Sequence, residues 1–237
     1  MTIEIHSLVI LIPAKNEEQT IERVIMEIRQ LFTPVPVVVI DDASTDRTAE
    51  LAKMAGAVVL PLPFSLGAWG AIQTGLRYAL QQGFHTAITM DADGQHEADS
   101  IPDLLYPIAI GQADVVIGAY PQRGSLLRKI AWSVFRQLSG LALEDLTSGL
   151  RAYHRPAIEL LASHQATLLD YQDLGVLILL QKHGLRIEEV PTLMYPRRNG
   201  HSRIFSSWRI VSYYMIQTGI FCLAHHGPRN PPSCPIK

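Results

Sequence analysis

Cysteine is scarce in this chain of 237 residues, which has only Cys222 and Cys234. Two thiols make neither a disulfide scaffold nor a metal centre, and a reducing compartment is the default. The start, Met1-Thr2-Ile3-Glu4-Ile5-His6, has no basic stretch before its short apolar run, so a first strand is expected and no signal peptide. An uninterrupted apolar run of membrane-spanning length is also missing. The best approach to one, Trp208–Ala224, is broken by Arg209, Ser212, Gln217 and Thr218. It reads as an amphipathic helix lying on a membrane or packed on the domain. There is no Walker loop, because Gly67-Ala68-Trp69-Gly70 is not followed by Gly-Lys-Ser/Thr. With a formal net charge of -2 there is no basic excess to suggest a nucleic-acid partner. Internal repeats and low-complexity linkers are absent too.

What is present is a core. Hydrophobic residues make up 48% of the chain, and the mean hydropathy is +0.14. The length suits one large α/β domain with a tail. The small net charge hides a division: residues 1–120 carry 6 Lys/Arg and 15 Asp/Glu, whereas residues 121–237 carry 14 and 7. The acidic half is the place for a cation, and the basic half the place for phosphates or an anionic membrane surface.

The first 120 residues alternate strand and helix patterns. Apolar runs at Leu8–Ile12, Val37–Ile40, Ala57–Leu60, His85–Met90 and Asp114–Ile117 read as strands. Between them, Ile21, Val24, Ile25, Ile28 and Leu31 keep helical spacing, and further helices are expected to Met54, from the Phe64–Gly70 loop to Gln82, and over Ser100–Ile110. This rhythm predicts a mostly parallel central sheet with helices on both faces. Beyond it are a long amphipathic helix (Leu126–Leu143), a turn-rich segment (Asp145–Tyr153), a helix (Asp173–Lys182) and a strand (Arg186–Val190). The expected organisation is a catalytic domain over 1–205, a C-terminal apolar or amphipathic helix over 206–226, and a disordered tail over 227–237.

The chemistry gathers in loops behind the strands, where open α/β sheets bind ligands. Asp91-Ala92-Asp93-Gly94-Gln95-His96 follows Thr86-Ala87-Ile88-Thr89-Met90. Two carboxylates one residue apart at a strand end face the same way, and a cation between them relieves their repulsion. Oxygen donors of this kind suit Mg2+ or Mn2+, completed by a substrate's phosphates. His96 either lines the site or serves as a capping or surface histidine, and the second reading is preferred. Pro13-Ala14-Lys15-Asn16-Glu17-Glu18 opens a helix whose free N–H groups would meet a base or phosphate. In Asp41-Asp42-Ala43-Ser44-Thr45-Asp46, capping of the next helix accounts for Ser44 and Asp46 and leaves Asp41 for a nucleobase or ribose. Gly67 lies in a loop that either approaches a ligand or packs helix on sheet. Arg123, Arg128, Lys129 and Arg136 accompany Trp132 and Phe135, which suits a lipid headgroup layer or a solvated helix face. Arg197-Arg198-Asn199-Gly200-His201-Ser202-Arg203 is a cationic loop of the type that clamps a diphosphate.

Taken together and in order, these segments resemble a family 2 glycosyltransferase of GT-A fold, of the dolichyl-phosphate mannosyltransferase and polyprenyl-phosphate glycosyltransferase subgroup. Ala113-Asp114-Val115-Val116-Ile117-Gly118, Ser148-Gly149-Leu150-Arg151 and Glu189-Val190-Pro191 carry the likeness as well, over roughly residues 7–205. The resemblance implies an inverting transfer of a sugar from a GDP- or UDP-sugar to a polyprenyl phosphate, at the cytoplasmic face of a membrane. It places Pro13, Ala14, Asn16, Glu17, Asp41, Asp42, Gly67, Asp91, Ala92, Arg197, Arg198 and Arg203 around the nucleotide sugar. Asp91, Asp93 and Gln95 would hold Mg2+ or Mn2+; Arg123, Arg128, Ser148 and Arg151 would meet the acceptor phosphate. Asp93 and Arg128 then act on the reacting groups. A hydroxyl acceptor would instead need a general base, for which Asp145 and Asp173 are the candidates. Two positions depart from the family: Gly118-Ala119-Tyr120 stands where Gly-Ser-Arg is common, and Arg203 stands for a lysine. A sugar-nucleotide pyrophosphorylase would carry a Gly-rich basic loop near its N-terminus, which Pro13–Glu18 does not supply. A non-catalytic sugar-nucleotide-binding protein is the remaining alternative, and intact Asp91 and Asp93 speak against it.

Overall fold

The computed structural model describes residues 7–120, 141, 143–146, 148–167 and 174–195. The chain divides into two compact units, residues 1–123 with 143–200, and residues 124–142 with 201–237. Apart from Leu141, everything described belongs to the first unit. The helix expected over Leu126–Leu143, the apolar run Trp208–Ala224 and the tail from Gly227 lie outside the described residues, Leu141 and Leu143 excepted.

The alternation read from the sequence is realised as β1 (Leu8–Ala14), α1 (Ile21–Leu31), β2 (Val37–Asp41), α2 (Thr48–Met54), β3 (Val58–Pro61), α3 (Gly67–Gln81), β4 (Thr86–Thr89), α4 (Ile101–Ala109) and β5 (Val115–Ala119). Next come β6 (Arg151–His154), α5 (Arg155–Ala162), the single turn α6 (His164–Thr167), α7 (Leu174–Lys182) and β7 (Ile187–Pro191). Their seven strands form one sheet in the order β3-β2-β1-β4-β6-β5-β7. Only β6 runs antiparallel to its neighbours.

Strand β1 is apolar throughout because it is covered on both faces, and Val9, Ile10, Leu11 and Ile12 have no exposed surface. One face of the sheet meets α1, whose Ile21, Val24, Ile25 and Ile28 form its buried stripe. Fully burying each such side chain contributes about 1.5–3 kcal/mol, so this stripe anchors the helix. The other face carries α3. A Cβ at Gly75 would stand 2.8 Å from Ile40 Cδ1 and 3.2 Å from Leu11 Cδ1. Helix α3 therefore approaches β1 and β2 backbone-close at Gly75.

Two expectations need correction. The segment expected to be turn-rich to Tyr153 ends in β6, which lies in the middle of the sheet between β4 and β5. Its pattern is short and begins with a charged residue, so no apolar run announces it; the sheet neighbours bury it instead. The second is α5, absent from the sequence reading. Pro156 sits in its first turn, where the missing N–H costs nothing, and Ala157, Ile158, Leu161 and Ala162 form its buried face.

Strand order reverses at β1: β2 and β3 build outward on one side, and β4 begins the other. The crevice beyond the carboxyl ends of β1, β2 and β4 is thus the topological switch point, where such sheets bind ligands. Asp41 closes β2 there, and Asp91 lies two residues past β4.

Candidate active site

The loops after β1 and β2 are laced together. Asn16 N donates to Ser44 Oγ at 2.9 Å, Glu17 N to Thr48 Oγ1 at 2.8 Å, and Glu18 N to Asp46 Oδ2 at 3.2 Å. In return Asn16 Oδ1 accepts from Thr45 N at 2.7 Å. The N–H groups expected to greet a base or phosphate are therefore already used, and Ser44 serves the first loop rather than capping α2. Asp46, one residue before the N-cap, accepts from Thr48 N at the start of α2 at 3.0 Å; desolvation raises its carboxyl, and the hydrogen bonds from Thr48 and Glu18 together hold it below the usual aspartate range. Asn16 and Ala43 both take left-handed backbone, φ 52° and 55°, which lets the two loops face each other.

Asp41 and Asp42 are both buried but differ in employment. Asp42 receives Leu66 N at 2.6 Å, Gly67 N at 3.2 Å and Ser65 Oγ at 2.6 Å. It caps the start of α3 across the crevice, a structural use beside the nucleotide role expected of it. Gly67, with φ +76° and nothing within 4 Å of its Cβ direction, takes the turn into that helix. Asp41 Oδ1 is buried without a hydrogen-bond partner among the described residues. An orphan carboxylate oxygen is costly unless something donates to it. It lies at the end of β2, beside Ala14 of β1 in register, with Pro13 one position earlier. A ligand N–H or O–H placed there would satisfy it.

Asp91 and Asp93 flank the buried Ala92 behind β4, both part-exposed. Asp93 Oδ1 accepts from Gln95 N at 3.1 Å, which shapes the turn. Gln95 Nε2 donates to Tyr195 O at 3.0 Å, and Tyr195 N returns a bond to Gln95 O at 2.8 Å. The amide nitrogen of Gln95 is thus committed to the segment after β7. Gly149 lies directly against Asp91: a Cβ there would be 2.4 Å from both carboxylate oxygens. Among the described residues no three His, Cys, Asp or Glu side chains form a metal cage. Two accessible carboxylates still fit a hard cation that takes its remaining ligands from phosphates and water.

The turn bearing Gly149 is built by Arg151, which has no exposed surface. Its Nε donates to Ser148 O at 2.8 Å and its Nη2 to Leu146 O at 3.0 Å, while Thr89 Oγ1 donates to Gly149 O at 2.9 Å. Ser148, equally buried, accepts from Leu150 N through its Oγ. Both residues were expected at the acceptor phosphate. The structure turns them inward, into the frame of the loop that meets Asp91.

At the end of β5, Asp145 is 1% exposed and accepts from Tyr120 N at 3.2 Å. Glu189 of β7 holds this segment, receiving Glu144 N at 2.6 Å and Asp145 N at 2.8 Å. Burial raises the Glu189 carboxyl, opposed by those two bonds and aided by the charges of Asp145 and Glu144. The sequence reading gave Glu189 no role; a charged residue inside a strand pattern was the available signal. His96 is 2% exposed and so is not the surface residue preferred from sequence. Glu17 remains at the crevice, its Oε2 accepting from Thr20 Oγ1 at 3.3 Å. Arg123, Arg128, Asp173, Arg197, Arg198 and Arg203 lie outside the described residues.

The structure brings together Pro13, Ala14, Asp41, Asp91, Ala92 and Asp93 along one edge of the sheet. Comparison with known proteins gives the family. An undecaprenyl-phosphate mannosyltransferase from Micrococcus luteus is 30% identical over 210 residues, spanning 82% of this chain and 86% of that protein. A UDP-N-acetylglucosamine–dolichyl-phosphate N-acetylglucosaminyltransferase from Methanococcus voltae is 28% identical over 210 residues, spanning 77% and 83%. The crystal structure of glucosyl-3-phosphoglycerate synthase from Mycobacterium tuberculosis with phosphoglyceric acid superposes with a TM-score of 0.69 at 25% identity, covering 92% of this chain and 79% of that one. The sequence model of glycosyl transferase family 2 matches residues 9–158. With a GT-A sheet, a strand-end Asp-x-Asp and that match, this chain belongs to glycosyl transferase family 2 and is a glycosyltransferase.

Proposed function

We propose that this glycosyltransferase moves a sugar from a nucleotide sugar to a polyprenyl phosphate, with inversion at the anomeric carbon. The observation that carries the reading is the row of carboxylates along the crevice: Asp41 with its unpartnered oxygen, then Asp91 and Asp93. Asp41 is suited to receive N–H or O–H groups of the nucleoside. Asp91 and Asp93 are suited to hold Mg2+ or Mn2+, which when bound would neutralise the leaving nucleoside diphosphate. The named activities of the two curated relatives support a lipid-phosphate acceptor.

In the reaction a phosphate oxygen of the acceptor attacks C1 of the sugar. The bond from C1 to the diphosphate oxygen breaks on the opposite face, and its electron pair leaves with that oxygen. A phosphate monoester is already ionised near pH 7, so no base need remove a proton, and positioning supplies the advantage. The burial of Asp145 and its bond from Tyr120 N favour this acceptor over a hydroxyl, which would need an accessible base. Arg123 and Arg128 are the proposed holders of the acceptor phosphate, and Arg197, Arg198 and Arg203 of the donor diphosphate. The acceptor places the enzyme at a membrane surface, the cytoplasmic one in this reading. Among the described residues no helix is long and apolar enough to cross a membrane.

The test is a transfer assay of the full chain with labelled GDP-mannose, UDP-glucose and UDP-N-acetylglucosamine. Undecaprenyl phosphate in detergent serves as acceptor, with Mn2+, Mg2+ or chelator. Lipid-extractable label from one donor, dependent on a divalent cation, supports the reading. Label transferred only to a water-soluble hydroxyl acceptor would move Asp145 and Asp173 back to the centre.

A further inference from the structure

The loop after β4 holds one side chain for which the proposed reaction has no use. His96 is 2% exposed, and both of its ring nitrogens are buried without a hydrogen-bond partner among the described residues. Folded proteins leave few buried polar groups in that condition, and each has a reason. A leucine or phenylalanine would fill the same space without desolvating an imidazole.

A carboxylate lies beside the ring. Nε2 stands 3.5 Å from Asp91 Oδ2. The backbone beneath it is fixed by the antiparallel bridge of His96 to Met194 and by the two-way bonding of Gln95 with Tyr195. The ring is therefore held, and the Asp91 side chain beside it is 40% exposed. The backbone of Gly149 lies against the same carboxylate.

We infer that His96 is a positioning residue for the cation site: its Nε2–H donates to Asp91 Oδ2 and fixes the angle at which that carboxylate meets the metal. This rests on the proposed assignment of Asp91 and Asp93 to a divalent cation. At 3.5 Å the contact is at the outer limit of a hydrogen bond, and such bonds tighten when a site is loaded. Donors behind a metal-bound carboxylate orient it, and their loss typically costs about 10- to 100-fold in metal affinity.

Two substitutions separate donor from bulk. In His96→Gln the amide nitrogen reaches the place of Nε2. In His96→Asn it reaches only the place of Nδ1. Mn2+ is titrated into the wild type and both variants of the full chain, with UDP in excess and again with GDP, and free Mn2+ is read by electron paramagnetic resonance. UDP and GDP binding in EDTA and Tm are measured alongside. The expected result is wild type and His96→Gln within about twofold, His96→Asn weaker by about 10- to 100-fold, and nucleotide binding in EDTA alike in all three. Equal Mn2+ affinity in all three overturns the inference and leaves the cation site standing. Equal weakening of both variants with an equal fall in Tm also overturns it, because the ring then acts by packing. Absence of Mn2+ binding in the wild type overturns the cation assignment and this role with it.

Discussion

Substituting Gly149 by alanine places a methyl group where the Asp91 carboxylate now lies. The added Cβ would be 2.4 Å from Oδ1 and Oδ2 and 2.6 Å from Cγ. Carbon and oxygen that are not bonded prefer separations of about 3.3–3.6 Å even in weak hydrogen-bonding contact. One partner must therefore move by roughly 1 Å. The turn cannot easily yield, because Arg151 grips Ser148 O and Leu146 O and Thr89 holds Gly149 O. Asp91, part-exposed at the end of a short side chain, moves instead. Overpacking of this kind costs about 1–3 kcal/mol at a rigid site, and escape toward solvent brings Gly149→Ala to the lower end. A 1 Å misplacement at a reacting centre costs on the order of 100-fold in rate. The expected outcome is a Tm within about 2–4 °C of the wild type, with Mn2+-supported nucleotide binding and turnover lowered about 10- to 100-fold. Calorimetric UDP or GDP titration with and without Mn2+, beside thermal unfolding, reads both quantities. Unchanged metal-dependent binding in Gly149→Ala would refute the claim that this turn sets the Asp91 carboxylate.

Asp41→Ala should weaken UDP or GDP binding in chelator at least about tenfold, the worth of one charge-assisted hydrogen bond, without lowering Tm, since it removes an unpartnered buried oxygen. Isothermal titration checks the first and calorimetry the second; a large stability loss with intact affinity would make Asp41 structural. Gln73→Leu removes the donor to the buried Leu161 O and one of two donors to Ser163 O, which Thr167 Oγ1 also serves. Urea unfolding should show a loss of about 1–3 kcal/mol, with donor binding unaltered. Asp114 is held below its ordinary 3.8, first by the hydrogen bond from Arg186, against desolvation. A lowered carboxyl pKa stabilises the fold above the unfolded value and ceases to do so as pH falls through the folded value. Asp114→Asn should therefore lower Tm at pH 7, and the gap from wild type should close as pH drops below 3.8; a gap unchanged at low pH would trace the loss to packing.

The periodicity of the first 120 residues was enough for the β-α order, because a strand covered on both faces must be apolar along its length and an amphipathic helix must repeat near 3.6 residues. It was enough as well for the Asp-x-Asp just past β4, since two like charges one residue apart behind an apolar run repel unless something lies between them. Strand β6 escaped because its four residues carry no run or alternation of their own; burial there comes from β4 and β5, which are distant in sequence. The same limit applies to individual side chains. Asp41 and Asp42 are chemically identical neighbours, and only the approach of the Ser65–Gly67 loop decides that Asp42 caps α3 while Asp41 keeps an open oxygen. The resemblance assigns Ser148 and Arg151 to the acceptor phosphate, and only the fold shows that both are buried, with the guanidinium bonded to carbonyls of its own turn. His96 read as a surface residue, until the segment after β7 closed over it. Sequence pattern determined which elements exist and where carboxylates cluster, because those follow from local periodicity and residue chemistry. Which of those polar groups face a ligand was decided only by the tertiary structure, since a hydrogen bond between residues far apart in the chain leaves no periodic trace.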